Sequence, residues 1–135
     1  LLAEATAVLN APHLRHLFGP DSLAEVAITA DLPMGRMLGS IDRLIVTPDT
    51  VTAIDYKSNR IIPATPVQTP EGLLRQLGAY AHGLHQIYPD HRIETAILWT
   101  RSATLMPLDR DIVSAALSRA TIDSVPPLDV APDGP

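Results

Sequence analysis

The chain has 135 residues, of which 46% are hydrophobic and 19% charged, and this profile is typical of one globular domain rather than of a fibre or a disordered chain. The absence of cysteine excludes a disulfide scaffold, a thiol nucleophile and any zinc site built on thiolates. The net charge of -5 argues against a stand-alone basic module that binds nucleic acid by broad phosphate neutralisation. No apolar run approaches about 18 residues, so we expect no membrane-spanning segment.

The first half of the chain predicts a helix followed by three strands. An apolar, alanine-rich helical pattern covers residues 1–9, and a short turn is expected over 13–18. Residues 23–30 show the alternation and the β-branched content of a strand. Two further strand-like runs, 36–46 and 51–57, flank the sequence Thr-Pro-Asp-Thr, in which proline restricts φ and aspartate caps the backbone. These two runs are therefore predicted to form a β-hairpin.

The second half predicts a loop, a helix, a strand pair and a last helix. Residues 58–70 contain three prolines and few candidates for the core, which is typical of a loop. Apolar residues recur at three- and four-residue steps over 71–88, which predicts an amphipathic helix that ends before a proline. The mostly apolar run 92–100 predicts a buried strand with 103–108 as its antiparallel neighbour. Residues 109–120 predict a helix with acidic residues at its start.

These elements predict an α/β fold in which helices flank a mixed sheet. We expect residues 1–122 to form one domain and the proline-rich residues 123–135 to form a flexible tail. Because the chain starts with Leu-Leu-Ala-Glu and not with methionine, we also expect it to be a fragment of a longer polypeptide.

The predicted hairpin brings two acidic residues together. A hairpin symmetric about its central Pro-Asp places Asp42 directly opposite Asp55. Cβ atoms of such partners lie about 4.5 to 5.5 Å apart, and like charges there are destabilising unless something, such as a divalent cation, neutralises them. Side chains alternate between faces, so Lys57 shares the face of Asp55 while Ile54 and Tyr56 point to the other. Two carboxylates and one ammonium are therefore expected to converge.

This combination suits metal-assisted hydrolysis of a phosphodiester. Carboxylate oxygens hold Mg²⁺, and an ammonium orients a water or stabilises developing charge. Lys57 is the only lysine among the ten cationic residues, and an arginine is a poor substitute because its guanidinium is a broad fork. Gly39 allows close backbone approach beside Asp42. The pattern also fits an ordinary solvent-exposed hairpin in which Asp-Tyr-Lys is incidental, and the residues alone leave both interpretations open.

Three short segments together resemble a known family. They are Gly39-Ser-Ile-Asp42-Arg-Leu, Ile54-Asp55-Tyr-Lys57 and Gln76-Leu-Gly-Ala-Tyr80, in this order. The series is similar to the PD-(D/E)XK nuclease domain of the RecB type, most closely to the carboxy-terminal nuclease domain of AddA helicase-nucleases, over roughly residues 14–117. The resemblance implies a restriction-endonuclease-like core.

The resemblance also implies roles for individual residues. Asp42 and Asp55 are expected to be metal ligands, and Lys57 the catalytic lysine. Gln76 and Tyr80, one helical turn apart, are expected to flank the catalytic centre and to help place the substrate. Either residue could instead be structural, Gln76 as a polar residue at a sheet edge and Tyr80 as a core residue.

Further candidates carry weaker signals. Glu25 lies where the family often has a third acid, which binds metal directly or through water; the alternative is an exposed strand carboxylate. Arg60 and Arg75 flank the expected cleft as phosphate contacts, or are simply solvated. The family usually carries a metal-associated histidine upstream of the third acid, but His13 and His16 are expected to be surface residues. A zinc site at His82, His85 and His91 is not expected, because no acid or thiol completes the set.

The resemblance implies a Mg²⁺-dependent deoxyribonuclease, in which Mn²⁺ can replace Mg²⁺. It further implies DNA as substrate, helicase domains in the same full-length chain, an AddB-like partner subunit, a role in double-strand break repair and recombination, and a bacterial cytoplasmic location. Two alternatives remain. One is a Cas4-like free-standing exonuclease, against which the lack of cysteine weighs, since such relatives usually hold an iron-sulfur cluster. The other is a catalytically inactive docking module.

Overall fold

The structure, a computed structural model, describes residues 2–123. The predicted tail from residue 123 therefore lies, beyond Asp123, outside the described residues. The described helices are α1 (Leu2–Asn10), α2 (Glu71–Ile87) and α3 (Arg110–Asp123), with short 3-10 segments at Pro12–Phe18 and Pro66–Gln68. The strands are β1 (Ser22–Leu32), β2 (Gly35–Val46), β3 (Thr50–Lys57), β4 (Arg92–Trp99) and β5 (Thr104–Leu108).

The five strands form one sheet in the order β1-β2-β3-β4-β5. Neighbouring strands are antiparallel except for β3 and β4, which are parallel. The parallel pair arises because α2 crosses over between these strands and returns the chain to the same end of the sheet. The predicted mixed sheet with flanking helices is confirmed, as are the predicted hairpin and the antiparallel pairing of the last two strands.

The two faces of the sheet are covered unequally. The larger core lies between the sheet and α2, and α3 packs against α2; its most buried members include Ile41, Val51, Leu77, Ile97 and Val113. The opposite face bears α1 and the first 3-10 segment over a smaller apolar cluster, formed by Val8, Leu14, Leu17, Ile54, Ala96 and Leu98. No helix among residues 2–123 is long and apolar enough to cross a membrane.

The alternation of side chains along β2 changes at Asp42. Met37 and Ile41 belong to the larger core, and so does Leu44, an odd number of residues further on. On the neighbouring strand β1, Glu25 has a φ of +50° and is left out of the ladder. A left-handed residue of this kind disrupts a strand locally, as a bulge does. Asp42 therefore lies at an irregular point of the sheet, where simple two-residue alternation does not hold.

Candidate active site

The predicted hairpin register is confirmed from the turn to the residue pair next to the two aspartates. β2 and β3 pair from Val46 with Val51 to Arg43 with Ile54, as predicted. The ladder ends there, so the predicted ladder pair of Asp42 with Asp55 is wrong, and the irregularity of β2 at Asp42 is the reason. Asp42 instead accepts a hydrogen bond on Oδ2 from the backbone N–H of Tyr56, at 2.7 Å.

The two carboxyl groups nevertheless interact directly, beside the end of the ladder. Asp55 is 5% exposed, and burial is the largest cause that raises its pKa, to about 6. Lys57 lowers this pKa by its charge, and Asp42 raises it by its charge. The predicted meeting of like charges at one place is therefore present.

Lys57 lies next to Asp55, on the face of the sheet that α2 covers. Its Nζ is 3.5 Å from Asp55 Oδ2, and its side chain is 13% exposed. Ile54 and Tyr56 lie on the opposite face with the smaller apolar cluster, as predicted. The contact has the distance of an ion pair without the geometry of a hydrogen bond, since Asp55 Oδ2 has no hydrogen-bond partner among the described residues.

The donor set fits a hard divalent cation. A buried carboxylate oxygen without a donor is uncommon in proteins and requires an explanation, and a bound cation supplies one. Asp42 and Asp55 would be the protein ligands, because their carboxyl groups lie together. Residues 2–123 contain no group of three or more histidine, aspartate or glutamate side chains that could hold a metal ion. Mg²⁺ commonly binds through one or two carboxylates and keeps several waters.

Helix α2 packs on the sheet beside the two aspartates. Gln76 Nε2 donates to the hydroxyl of Tyr80 at 2.9 Å, and that hydroxyl donates to the carbonyl of Ser40 at 3.1 Å. Burial raises the pKa of Tyr80, the hydrogen bond from Gln76 lowers it, and the charges of Asp55 and Asp42 raise it. The structure thus brings both helix residues to the acid pair.

Gly39 makes this approach of α2 possible. A Cβ built on Gly39 would lie 2.8 Å from Tyr80 Cε1, which is closer than real Cβ atoms approach. The absence of a side chain at Gly39 therefore leaves room for the Tyr80 ring, and the ring packs α2 against the hairpin.

The family match agrees with this geometry. Residues 3–121 match the PD-(D/E)XK nuclease superfamily. This chain belongs to the PD-(D/E)XK nuclease superfamily. Its mixed five-stranded sheet with flanking helices is the restriction-endonuclease-like α/β fold, and nucleases of this superfamily generally use divalent metal ions. A comparison with curated proteins finds no significant match.

Glu25 is the least supported acid of this nuclease-superfamily site. It is exposed and lies opposite the Asp42 position in the register of β1 and β2. The structure does not gather it with the two aspartates into a three-membered group among residues 2–123. Its role as a third ligand stays a prediction.

The two predicted phosphate contacts differ in surroundings. Arg60 is exposed in the loop after β3. Arg75 Nε donates instead to Glu71 Oε2 at 3.1 Å, and its side chain is 13% exposed. The same glutamate accepts two hydrogen bonds from Arg119 of α3, so Arg75 belongs to an ion cluster between helices. A phosphate contact by Arg75 would have to compete with Glu71.

Sequence reasoning missed Arg101, which the parallel pairing of β3 and β4 brings to the edge of the sheet where Lys57 lies. Thr100 donates from its backbone N–H to the carbonyl of Lys57 at 2.8 Å, and Arg101 Nε donates to the carbonyl of Ser58 at 2.9 Å. Arg101 is exposed. The signal in the sequence was the strand–helix–strand order, since parallel strands end at the same edge.

The remaining features lie away from the acids. His13 and His16 are exposed, as predicted. A cavity of about 660 Å³ lies on the opposite face of the sheet, where Ile45, Ile54 and Ala96 line it. Neither aspartate lines this cavity, so chemistry rather than cavity size identifies the site.

Proposed function

We propose that this chain is the metal-dependent nuclease domain of a helicase-nuclease and that it hydrolyses phosphodiester bonds in DNA. The observation that carries the proposal is the buried Asp55, whose unpartnered oxygen lies beside both Asp42 and Lys57 in a chain of the PD-(D/E)XK nuclease superfamily. We further infer that the enzyme uses Mg²⁺, with Mn²⁺ as a substitute.

Each residue of the site has a chemical role in this proposal. Asp42 and Asp55 would hold the cation, which would polarise the scissile phosphate and lower the pKa of a water. Lys57 orients the attacking water or stabilises the charge that develops on the phosphate. Gln76 and Tyr80 hold α2 against the hairpin and shape the wall against which the substrate lies. Burial of the site strengthens each electrostatic contact.

The cationic groups at this edge are few, and this supports delivery of the substrate by other domains. Lys57, Arg60 and Arg101 lie on β3, on the loop after it and after β4, in a chain whose net charge is -5. Broad phosphate neutralisation needs many more cations. A helicase motor in the full-length chain and an AddB-like partner subunit would supply affinity by raising the effective concentration of DNA.

The finer assignment rests on the ordered series of motifs. The Asp42 segment, the Asp-Tyr-Lys segment and the Gln76-to-Tyr80 helix support the RecB type, and within it the AddA-like nuclease domain. We accordingly propose a role in double-strand break repair and recombination, in the bacterial cytoplasm.

Cleavage by the full-length protein tests the proposal. We expect the wild type to degrade labelled single-stranded DNA in Mg²⁺, and Asp55→Asn to lose about 10³-fold in rate, equivalent to about 4 kcal/mol of transition-state stabilisation. Asp90→Asn is the matched control, because this aspartate is exposed in the turn before β4 and should leave the rate unchanged. If the wild type and Asp55→Asn cleave DNA at the same rate, or if neither cleaves it, a docking module is favoured instead.

A further inference from the structure

The separation of the two aspartates is not set by backbone pairing. Asp42 lies at a gap in the ladders on both of its sides, since β2 and β3 stop pairing at Arg43 with Ile54 and the ladder of β1 and β2 skips Glu25. A hydrogen bond from the N–H of Tyr56 to Asp42 Oδ2 joins Asp42 to β3 at this level. A metal site nevertheless needs its ligands held to within about 0.5 Å.

A second tie between the same strands lies on the opposite face. Arg43 directly follows Asp42, and Tyr56 directly follows Asp55. Arg43 Nε donates a hydrogen bond to the hydroxyl of Tyr56 at 3.2 Å. Arg43 Nη1 also donates to Ser22 Oγ on β1 at 2.8 Å, and the guanidinium lies 4.9 Å from the centre of the Phe18 ring. One guanidinium thus joins β1, β2 and β3 on the face opposite the acids.

We propose that Arg43 and Tyr56 are positioning residues that set the separation of Asp42 and Asp55 from the opposite face of the sheet. Arg43 and Tyr56 are the chain neighbours of Asp42 and Asp55, so a hydrogen bond between their side chains restrains the backbone that bears the two carboxylates. The planar fork of arginine bonds Tyr56 and Ser22 at once, which a lysine ammonium does not reproduce with fixed geometry. The inference rests on the proposed metal-dependent function.

Affinity for Mn²⁺ in the absence of DNA measures the effect of this tie. We expect Tyr56→Phe, which keeps the backbone N–H to Asp42 and removes only the hydroxyl, to weaken Mn²⁺ binding by calorimetry about tenfold, as loss of outer-shell partners commonly does. Arg43→Lys should have a similar effect. Tyr88→Phe is the matched control, because this half-buried tyrosine contacts His91 beyond the end of α2 and should leave the affinity unchanged.

Two further readouts on the full-length protein separate positioning from a purely structural role. At saturating Mn²⁺ we expect the cleavage rate of Tyr56→Phe to recover towards that of the wild type, because the defect lies in metal affinity. The unfolding midpoint of the metal-free variant should remain far above the assay temperature.

The possible outcomes distinguish this inference from the proposed function. If Asp55→Asn loses Mn²⁺ binding while Tyr56→Phe binds within twofold of the wild type, the positioning role is wrong and the nuclease assignment stands. If the wild type binds no Mn²⁺, both are wrong.

Discussion

Asp55 is a carboxylic acid that the fold buries almost completely. Its burial raises the pKa to about 6, so at pH 7 and above the group is ionised in a place that opposes its charge. Asp42 adds a like charge, and the ammonium of Lys57 compensates only in part. The metal-free site is therefore strained electrostatically, and a cation relieves the strain.

This strain predicts a pH dependence of the stability of the metal-free protein. The folded pKa lies above the ordinary value of 3.8, so the folded state holds a proton that the unfolded state releases between about pH 4 and 6. The contribution of Asp55 to the free energy of unfolding therefore falls as pH rises through this window, by on the order of 3 kcal/mol. Asp55→Asn should remove the loss, so the variant should be more stable than the wild type at pH 8 and about equally stable at pH 4.

Urea unfolding at both pH values, in the presence of a chelator, measures this difference. Asp90→Asn, in which the aspartate replaced is exposed, should follow the wild type at both. Added Mg²⁺ should stabilise the wild type and not Asp55→Asn. A variant that is less stable than the wild type at pH 8 without metal would contradict the account of the buried charge.

Helix α2 is the element that carries both Gln76 and Tyr80, and α3 holds it from behind. A Cβ on Gly78 would lie 2.3 Å from the carbonyl oxygen of Val113 and 3.2 Å from Leu117 Cβ, so the helices touch closely at this point. Glu71 adds a bidentate ion pair with Arg119 across the same interface. The placement of the helix side of the site thus depends on a packing contact away from the chemistry.

We expect Gly78→Ala to destabilise the fold by about 2 kcal/mol, because overpacking exceeds the gain of about 1 kcal/mol in helix propensity. Gly72→Ala on the same helix is the control. Its Cβ meets nothing within 4 Å, so the substitution should be neutral or mildly stabilising. Urea midpoints of the two variants provide the comparison, and equal midpoints would show that α2 and α3 can separate without loss.

At the scale of the whole molecule, the crossover through α2 places the ends of β3 and β4 at one edge. Lys57 and Arg101 both lie at this edge although they are far apart in the chain, and the carbonyls of Lys57 and Ser58 accept hydrogen bonds from the turn that bears Arg101. The cationic side chains at this edge are few, and the net charge of the chain is -5. The fold therefore favours a short contact with nucleic acid over a long one.

Salt dependence of binding tests this expectation. For a single-stranded oligonucleotide without divalent metal, we expect the logarithm of the association constant to fall with the logarithm of salt concentration at a slope of about 2, since each phosphate contact contributes about 0.7. Arg101→Ala should reduce the slope by about one contact. Arg36→Ala, at the start of β2 beside Asp31, should not. Fluorescence anisotropy measures the slope, and a value of about 6 would indicate a broad binding surface instead.

Local sequence determined the elements, the hairpin register and the face shared by Asp55 and Lys57, because turn chemistry and the alternation of side chains act over a few residues. Tertiary structure decided the rest. Contacts between distant segments bury Asp55, bring Arg101 to the edge, join Glu71 to Arg119 and end the ladder before Asp42. Burial and crossover pairing depend on residues that are neighbours only after the chain has folded, so no local pattern contains them.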